Sequence, residues 1–468
     1  MRWSILAGTL LAAVILPVLP AVAQGLPGSA AFTNPPEIRS AGGQLRTRLV
    51  AAPGTFTLGG ATYRRNLYNG SYVPPTLRVR RGDWFQLTLL NQMDSARWTN
   101  LHYHGMTVTP RVPGDNVFLH IANQDSFRYA FAIPQWHAPG MFWYHPHPHG
   151  LSEGQVLGGM SGALIVEGLL DRYPQWQGIT ERVMLLKDFV NPSDPDGPKI
   201  KSINGQTSST LYIRPGEPQF WRIGNVGADA YYNLKLDGHR FLVIARDGNP
   251  TVKPIPADSL FLPPSSRVEV IVYGGRAGAY RLWSDSIQTG PAGDPNPAVT
   301  LGQVISVGEP VPGTSGNLPQ REDHALAESA RRLLSVPIHP PKRVVFSEDT
   351  VSNVFFINGK VYDPNRIDTR VRVGDNQEWV LVNDSDELHV FHIHQLDFIV
   401  TEINGVPQPY TGFQDTVNLP FRQNGIPGQV RIRLSFWNPD IVGKFVYHCH
   451  ILEHEDGGMM ANIQVDPQ

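Results

Sequence analysis

The residues with the strongest chemical signature lie near the end of the chain, where its only cysteine, Cys449, stands between His448 and His450. The surrounding run reads as a β-strand, in which side chains alternate between two faces, so the cysteine faces away from both histidines. A thiolate with two imidazoles and a weak thioether ligand forms an electron-transfer copper site, and His454 and Met459 follow closely enough to complete one. The pattern therefore predicts a copper site on one face and a second metal site on the other.

Three further histidine clusters accompany this motif, and each contains two histidines separated by one residue. Such a pair places both imidazoles on one face of a strand. A single pair is weak evidence, because an isolated histidine is usually a satisfied structural residue. The four clusters together hold ten of the sixteen histidines, and this combination is specific. The three further clusters are His102-Tyr103-His104, His145-Pro146-His147 and His389-Val390-Phe391-His392-Ile393-His394.

The four motifs, HYHG, WYHPH, HVFHIH and HCHILEHEDGGMM, resemble those of the multicopper oxidases, and they occur in that family's order. The resemblance implies four coppers per chain. One type 1 copper takes electrons from a reducing substrate, and a trinuclear cluster of one type 2 and two type 3 coppers reduces dioxygen to water. The resemblance also implies cupredoxin-like Greek-key domains and a laccase-like enzyme with oxygen as electron acceptor.

Carried over residue by residue, the resemblance assigns the copper ligands. The type 1 copper would be bound by His389, Cys449, His454 and, axially, Met459. The type 2 copper would be held by His102 and His392. The type 3 pair would be held by His104, His145, His147, His394, His448 and His450. Two positions depart from the family pattern, Val390 where proline is usual and Gln395 where glycine is frequent. Neither ligates copper, so both read as local backbone changes.

Reduction of dioxygen also consumes protons, which a carboxyl group at the edge of the cluster can relay. Asp115 and Glu455 occupy places that resemble the family's acidic proton-relay residues, so both are candidate catalytic residues. The alternative for each is an ordinary turn or surface carboxylate. His149 extends the HPHPH run, and the family pattern places it behind the ligands rather than among them.

The chain repeats one pattern three times, in which an Asn-Gly turn is followed by two alternating apolar segments joined at a glycine. The copies are Asn69-Gly70 before PTLRVRRGDWFQLTLLN, Asn204-Gly205 before STLYIRPGEPQFWRIGN and Asn358-Gly359 before DTRVRVGDNQEWVLVND, joined at Gly82, Gly216 and Gly374. Such self-similarity predicts an all-β protein of three tandem antiparallel β-sandwich domains. The expected boundaries are a signal peptide at 1–23, domain 1 at 24–170, domain 2 at 171–310, a linker at 311–342 and domain 3 at 343–468.

The later strands of the repeats indicate different roles for the three domains. GMFWYH before Pro146 aligns with GKFVYH before Cys449, so domain 1 has no type 1 site. In domain 2, Trp283 stands where the first histidine should be, so this domain carries no copper ligand and serves as a spacer. Domains 1 and 3 each supply four histidines, which places the trinuclear cluster at their interface. A helical pattern over 321–334 predicts a solvated connector helix, with a cover over part of the substrate site as the alternative.

Composition and the first residues indicate an exported protein with no nucleic-acid partner. The net charge of −2 favours neither nucleic acid nor an anionic membrane surface. Arg2, an apolar run over 5–19 and the tripeptide AVA before Gln24 form the pattern of a secretory signal peptide, with a membrane anchor as the alternative. An exported chain without disulfides fits a bacterial periplasm. We therefore expect a periplasmic or secreted monomer with no membrane span after cleavage.

Three functions fit these motifs. The favoured one is laccase-like oxidation of phenols or aromatic amines. The second is a metal oxidase for cuprous, ferrous or manganous ions. The cuprous version in this family often carries a methionine-rich insert, and the eight methionines here are scattered. The third is a copper-free structural relative of the same fold, which is disfavoured because such relatives lose ligands and every ligand position is filled here.

Overall fold

The computed structural model describes residues 29–94, 97–195, 197–312, 323–338 and 340–468. The expected signal peptide at 1–23 lies outside the described residues. Within the described ranges, no helix has the length and apolar character needed to cross a membrane. The strands of these ranges form six sheets in three successive pairs, which confirms the all-β prediction.

The first unit contains strands β2 to β10, preceded by the short strand β1. Their bounds are β1 (Ala30–Ala31), β2 (Glu37–Arg39), β3 (Gln44–Leu58), β4 (Ala61–Tyr68), β5 (Thr76–Val79), β6 (Trp84–Asn91), β7 (His102–His104), β8 (Ser126–Ala132), β9 (Gly140–His145) and β10 (Gly162–Val166). One sheet has the order β2-β5-β10-β9-β7 and the other β4-β3-β6-β8. The two sheets bury a common core that includes Leu87, Phe131 and Tyr144.

The second unit contains eleven of the described strands. Their bounds are β11 (Thr180–Phe189), β12 (Ile200–Ile203), β13 (Ser209–Ile213), β14 (Pro218–Asn225), β15 (Tyr232–Leu236), β16 (Phe241–Arg246), β17 (Asn249–Ala257), β18 (Leu260–Leu262), β19 (Arg267–Tyr273), β20 (Gly278–Ser284) and β21 (Val299–Ser306). One sheet has the order β12-β11-β14-β19-β16-β17. The other, β1-β13-β21-β20-β15-β18, takes β1 as a parallel edge strand. Trp221, Val270 and Leu282 belong to the core between them.

The third unit contains the remaining strands. Their bounds are β22 (Lys342–Asp349), β23 (Val354–Ile357), β24 (Thr369–Arg372), β25 (Asn376–Asn383), β26 (His389–Ile393), β27 (Phe398–Ile403), β28 (Val406–Pro407), β29 (Thr416–Leu419), β30 (Gly428–Ser435), β31 (Gly443–Cys449) and β32 (Met460–Asp466). The sheets have the orders β23-β22-β25-β30-β27-β28 and β24-β32-β31-β26-β29. Their shared core includes Trp379, Ile432 and Tyr447.

The repeated glycine has the same structural role in all three units. Gly82, Gly216 and Gly374 have positive φ, a conformation that glycine adopts without the steric cost of a Cβ. In each unit the strands before and after this glycine, β5 and β6, β13 and β14, or β24 and β25, belong to different sheets. The turn therefore carries the chain from one layer of the sandwich to the other, and the sequence repeat is a structural repeat.

Short helices connect these strands. The described helices are α1 (Ser152–Leu157), α2 (His324–Ser335) and α3 (Leu452–Asp456), with 3-10 turns at Leu169–Arg172, Pro174–Trp176 and Pro439–Ile441. Asp323 caps α2 by accepting hydrogen bonds from two backbone N–H groups of its first turn. The helix is solvated on one face, as expected of a connector, but on the other face Ala330 and Leu333 are buried against Ile399 of the third unit.

Two interfaces hold the first unit in place. Met141 and Trp143 of β9 pack in one buried apolar cluster with Val183 and Leu185 of β11 in the second unit. On the other side, the Asp456 carboxylate in α3 accepts hydrogen bonds from three backbone N–H groups around the start of α1. The first unit is thereby fixed against both of the others.

Candidate copper centres

The pairing of β26 with β31 separates two candidate centres. The strands are antiparallel, with Phe391 opposite Cys449 and His392 opposite His448. Because side chains alternate across a strand, the cysteine sulfur points to one face of the sheet and His448 points to the other. The register agrees with the two-faced arrangement that the sequence pattern predicts.

On the cysteine face, three donor atoms converge. The Cys449 sulfur lies 3.7 Å from His389 Nδ1 and 3.6 Å from His454 Nδ1, and these two nitrogens are 3.0 Å apart. Helix α3 begins shortly after the strand and returns His454 to the sulfur. Met459 is fully buried in the same core, and its backbone oxygen accepts a hydrogen bond from Cys449 N–H. Two imidazoles and a thiol, with a methionine buried in the same core, are the residue types of a blue copper site.

Neighbouring side chains fix both imidazoles of this group. Ser385 Oγ lies 2.9 Å from His389 Nε2, and Glu387 Oε1 lies 3.1 Å from His454 Nε2. Phe355 stacks on the His454 ring with a centroid distance of 4.3 Å. A partner at one ring nitrogen sets the tautomer and leaves the other nitrogen for a metal. Nδ1 of both rings is therefore the available donor.

Burial determines the protonation of this group. It lowers the pKa of His389 to about 3 and holds the pKa of His454 well below its usual value, so both rings are neutral, the form that binds metals. Burial also raises the pKa of the Cys449 thiol. The thiolate that a metal requires is therefore stable only beside a bound cation.

The second candidate centre combines histidines of the first and third units. Strands β7 and β9 are neighbours in one unit, as β26 and β31 are in the other. Across the interface, His147 Nε2 lies 3.2 Å from His448 Nε2, and His104 Nδ1 lies 3.2 Å from His450 Nε2. The eight buried rings are those of His102, His104, His145, His147, His392, His394, His448 and His450.

Three of these histidines lie just beyond a strand end. β9, β26 and β31 end at His145, Ile393 and Cys449, so His147, His394 and His450 lie one or two residues past the strand ends. The antiparallel pairing nevertheless continues at two of them, because His394 N–H donates to the Val446 carbonyl oxygen and His450 N–H donates to that of Val390. The rings still converge, with His394 Nε2 lying 3.1 Å from His448 Nε2.

Unpaired ring nitrogens show that the eight-histidine cluster fits metal ions. A buried polar atom without a partner costs roughly 1–3 kcal/mol, so several at one place indicate a ligand for their lone pairs. Burial lowers the pKa of all eight histidines, which keeps the rings neutral. Neutral imidazoles suit copper. The unpaired buried atoms are Nε2 of His102, His145 and His392 and Nδ1 of His394 and His450.

Asp115 contacts the cluster directly. Its carboxyl lies 3.0 Å from His102 Nδ1 and accepts hydrogen bonds from Tyr103 N–H and, at 2.8 Å, from Gln395 Nε2. Burial raises the pKa of Asp115 to about 7. The residue is therefore not a surface carboxylate. Gln395, taken from the sequence as a local backbone change, has a φ of 65° and also binds this carboxyl through its side chain.

Glu455 contacts other rings of the same cluster. Its carboxyl oxygens lie 3.1 Å from His448 Nδ1 and 3.4 Å from His147 Nδ1, and burial raises its pKa well above the usual value. The two acids predicted from sequence thus border different histidines. His149 instead packs against Tyr362 with a centroid distance of 4.7 Å.

Two cavities reach the candidate centres. One of about 350 Å³ has His454 in its wall. Beside that ring, burial and the neighbouring Glu348 carboxyl raise the pKa of Glu387 to about 10. A second cavity of about 620 Å³ reaches Gln395 and is bordered by α2. The carboxyl-bearing residues that line the first cavity are Asp229, Asp294, Glu348, Glu387 and Glu453.

Sequence reasoning missed three polar residues that contact the histidines. Ser385 and Glu387 precede His389 by a few residues, and that proximity could have identified them. Asp415 gives no such signal, because β29 brings it to the cluster by pairing with β26. Its Oδ1 lies 3.2 Å from Nε2 of His104, and its backbone oxygen lies 2.8 Å from a ring nitrogen of a second histidine.

The fold and the two centres define a three-domain copper protein. Models of the multicopper oxidase family match residues 52–170, 177–302 and 335–468. These ranges cover most of the sequence, so the chain belongs to the multicopper oxidase family. It is an oxidoreductase with oxygen as acceptor, and its domains are cupredoxin-like, as the motifs predict.

Curated relatives and solved structures resemble most of the chain. A multicopper oxidase of Staphylococcus aureus is 27% identical over 419 residues, covering 85% of this chain and 83% of the relative. The laccase of Bacillus subtilis is 24% identical over 479 residues, covering 86% and 90%. The structure of a Campylobacter jejuni multicopper oxidase, described as a metallo-oxidase, matches with a TM-score of 0.77 at 26% identity, covering 96% and 98%.

Proposed function

We propose that the two centres hold four coppers, with the ligand roles that the motifs indicate. The converging Cys449, His389 and His454 donors support a type 1 site, with Met459 as axial ligand. The unpaired Nε2 atoms of His102 and His392 support a type 2 site. We assign the type 3 copper pair to the other six rings, those of His104, His145, His147, His394, His448 and His450.

Bound copper would supply one-electron transfer at the cysteine site and reduction of dioxygen at the cluster. The chain supplies the connection, because Cys449 is covalently continuous with His448 and His450, a span of roughly a nanometre of extended backbone. It also supplies proton carriers, since Asp115 and Glu455 lie within about 3 Å of the cluster's rings. The protein matrix shields the histidines of both centres, which are buried, from bulk solvent.

The reductant we propose is a small phenol or aromatic amine, as in a laccase. The observation that carries this proposal is the cavity of about 350 Å³ beside His454, which has room for a single aromatic ring. Tyr231, Leu388 and Ile451 provide apolar wall, and Glu387 can accept a hydrogen bond from a hydroxyl or amino group. The His454 ring would then receive the electron.

A metal-ion reductant is the second candidate, because carboxyl groups outnumber ammonium groups in this cavity. Five acids face Lys199 and Lys201, and carboxylates are hard ligands for cations such as ferrous or manganous ions. The Campylobacter jejuni relative is described as a metallo-oxidase. The copper-free alternative has no support in the geometry, since every ligand position is filled.

Steady-state rates on a phenol, an aromatic amine, cuprous ions and ferrous ions decide between the candidates. Glu348→Gln removes one charge from the cavity wall without touching a copper ligand, and Glu402→Gln is the matched control on the same unit. We expect phenol to give the highest kcat/KM and Glu348→Gln to change it little. If ferrous ions are instead preferred, and Glu348→Gln lowers that rate about tenfold or more, as loss of a charged contact does, the metal oxidase is correct.

We also propose a periplasmic or secreted monomer with domain boundaries at 24–170, 171–310 and 343–468, in which β1 of the first range extends the sheet of the second domain. The leader-like pattern before Gln24 supports export, and a single chain supplies every proposed ligand, so no second copy is needed to complete a site. Mass determination of the mature protein and size-exclusion chromatography test both statements. A mature chain that retains residues 1–23, or that elutes as a stable dimer, would contradict them.

A further inference from the structure

The middle unit contributes a charged residue to the histidine cluster, although it supplies no proposed ligand. Arg267, the first residue of β19, has a fully buried side chain. Its Nη1 and Nη2 donate to the two carboxylate oxygens of Asp415 at 2.8 and 2.6 Å. Two further donors bind backbone oxygens, Nε to Met141 at 3.2 Å and Nη1 to Ser265 at 3.0 Å. The guanidinium therefore ties all three units together.

Asp415 connects this guanidinium to two proposed ligands. Its Oδ1 lies 3.2 Å from His104 Nε2, and its backbone oxygen lies 2.8 Å from His392 Nδ1. Nε2 of His104 therefore carries the proton, and Nδ1 is free to face His450 across the cluster. For His392 the atom held by Asp415 is Nδ1, so Nδ1 carries the proton and the unpaired Nε2 is left for the cluster. One residue sets the tautomer of a histidine from each of two units.

Gly105, the glycine of the HYHG motif, packs closely against the Arg267–Asp415 pair. Gly105 has a φ of 80°, and a Cβ at this position would lie 2.4 Å from Asp415 Oδ2 and 2.5 Å from Arg267 Nη2. Both distances are far below van der Waals contact. The backbone beside His104 is thus closely fitted to the Arg267–Asp415 pair, which leaves the pair little freedom to move.

We propose that Arg267 is a positioning residue for the trinuclear cluster, acting through Asp415 on His104 and His392. An unpaired buried carboxylate would be costly, and without the bidentate guanidinium Asp415 would lose the contacts that hold its side chain in place. His104 would then lose the partner that directs Nδ1 into the cluster. The inference rests on the proposed copper sites, and it replaces the view of domain 2 as a spacer alone.

The test compares two buried arginines of the same unit. Arg267→Gln removes the proposed positioning charge. Arg222→Gln is the matched control, because Arg222 is equally buried and paired with Glu181 and Glu269, which contact no proposed ligand. Each variant is loaded with copper and titrated with a chelator, while the type 2 signal is followed by electron paramagnetic resonance and type 1 copper by its blue absorption.

We expect Arg267→Gln to release cluster copper at a chelator concentration about tenfold or more below that for the control, as loss of an outer-shell partner typically costs. Blue absorption should be retained equally in both variants, and thermal stability of the copper-free proteins should fall in both. Equal retention of cluster copper would overturn the inference. A wild-type protein that binds no cluster copper would overturn the proposed function instead, which keeps the two failures distinct.

Should Arg267→Gln fail to fold, Arg267→Lys and Arg222→Lys provide the same comparison. A lysine keeps the charge but not the two-pronged geometry. We therefore expect Arg267→Lys to weaken cluster copper more than Arg222→Lys does, by a smaller factor than the glutamine change. Equal copper retention in the two lysine variants would count against the proposal just as directly.

Discussion

The two candidate centres are built in different ways, although they share strands β26 and β31. The cysteine centre takes His389, Cys449 and His454 from the third unit alone, using β26, β31 and the helix that follows. The eight-histidine cluster exists only where the first and third units meet, and Asp415 links it to the second. The first centre depends on local strand register, whereas the second depends on the packing of three units. A substitution that disrupts one centre should therefore leave the other able to bind copper.

The largest expected effect is that of Cys449→Ser, which removes the sulfur donor of the cysteine centre on β31, a strand that both centres use. The loaded wild-type protein should be blue, because a copper thiolate absorbs in the visible, and should hold about four coppers per chain, as the family implies. The variant should lose its colour and its turnover while the histidine cluster still binds copper. Absorption spectra and copper counts measure this. A colourless wild-type protein after loading would show that Cys449 is not a ligand.

The next largest effect is expected for His102→Ala and His392→Ala, which change only the eight-histidine cluster at the interface. Each removes one unpaired Nε2 atom, so type 2 copper should be lost and oxygen reduction should stop. The blue centre should remain and should still be bleached by a reductant without oxygen. Resonance spectra and anaerobic bleaching measure the two centres separately. Loss of the blue band in a folded variant would mean that the ligand assignment is wrong.

Asp115→Asn should have a smaller effect, confined to steps that consume protons. The amide preserves most contacts of this buried group but cannot relay a proton, so turnover should fall by about a hundredfold. Copper count, blue absorption and anaerobic reduction by substrate should stay unchanged. Reoxidation of the reduced protein by oxygen is the decisive measurement. A rate equal to that of wild type would make Asp115 structural and leave Glu455 as the better relay candidate.

The smallest effect is expected for Ser385→Ala in the cysteine centre. The change removes one hydrogen bond to His389 Nε2, worth about 1 kcal/mol, and leaves every donor atom in place. We expect a small shift of the blue band and a few-fold lower rate of type 1 reduction, with the cluster unaffected. If type 2 copper is also lost, the two centres are more strongly coupled than their construction indicates.

Sequence patterns predicted correctly the features that neighbouring residues along the chain determine. The glycine-centred repeat predicts three β-sandwich units, and alternation along β31 predicts that Cys449 and His448 face apart. The patterns failed where the answer depends on packing between distant segments. His147 lies two residues beyond the end of β9 and meets His448 of the third unit across the interface, and no periodicity marks that contact.

The same limit explains the residues that sequence reasoning missed. Arg267 reads as an ordinary strand-end charge in a unit without histidines, and Asp415 as an isolated acid before a short strand. Their importance arises only when three units close around one ion pair. Helix α2 combines both cases. Its helical conformation follows from the local sequence pattern, whereas its packing against Ile399 depends on a distant segment.

The short strand β1 has a consequence for how the chain assembles. It precedes the first unit in sequence but forms the parallel edge of the second unit's sheet, where Ala30 pairs with Ser209 and Phe32 N–H donates to the Thr210 carbonyl oxygen. Contacts between residues so far apart in sequence form late. Until β1 docks, β13 presents an open strand edge, the kind of edge that recruits other chains. Slow docking of this strand would thus expose newly made protein to aggregation.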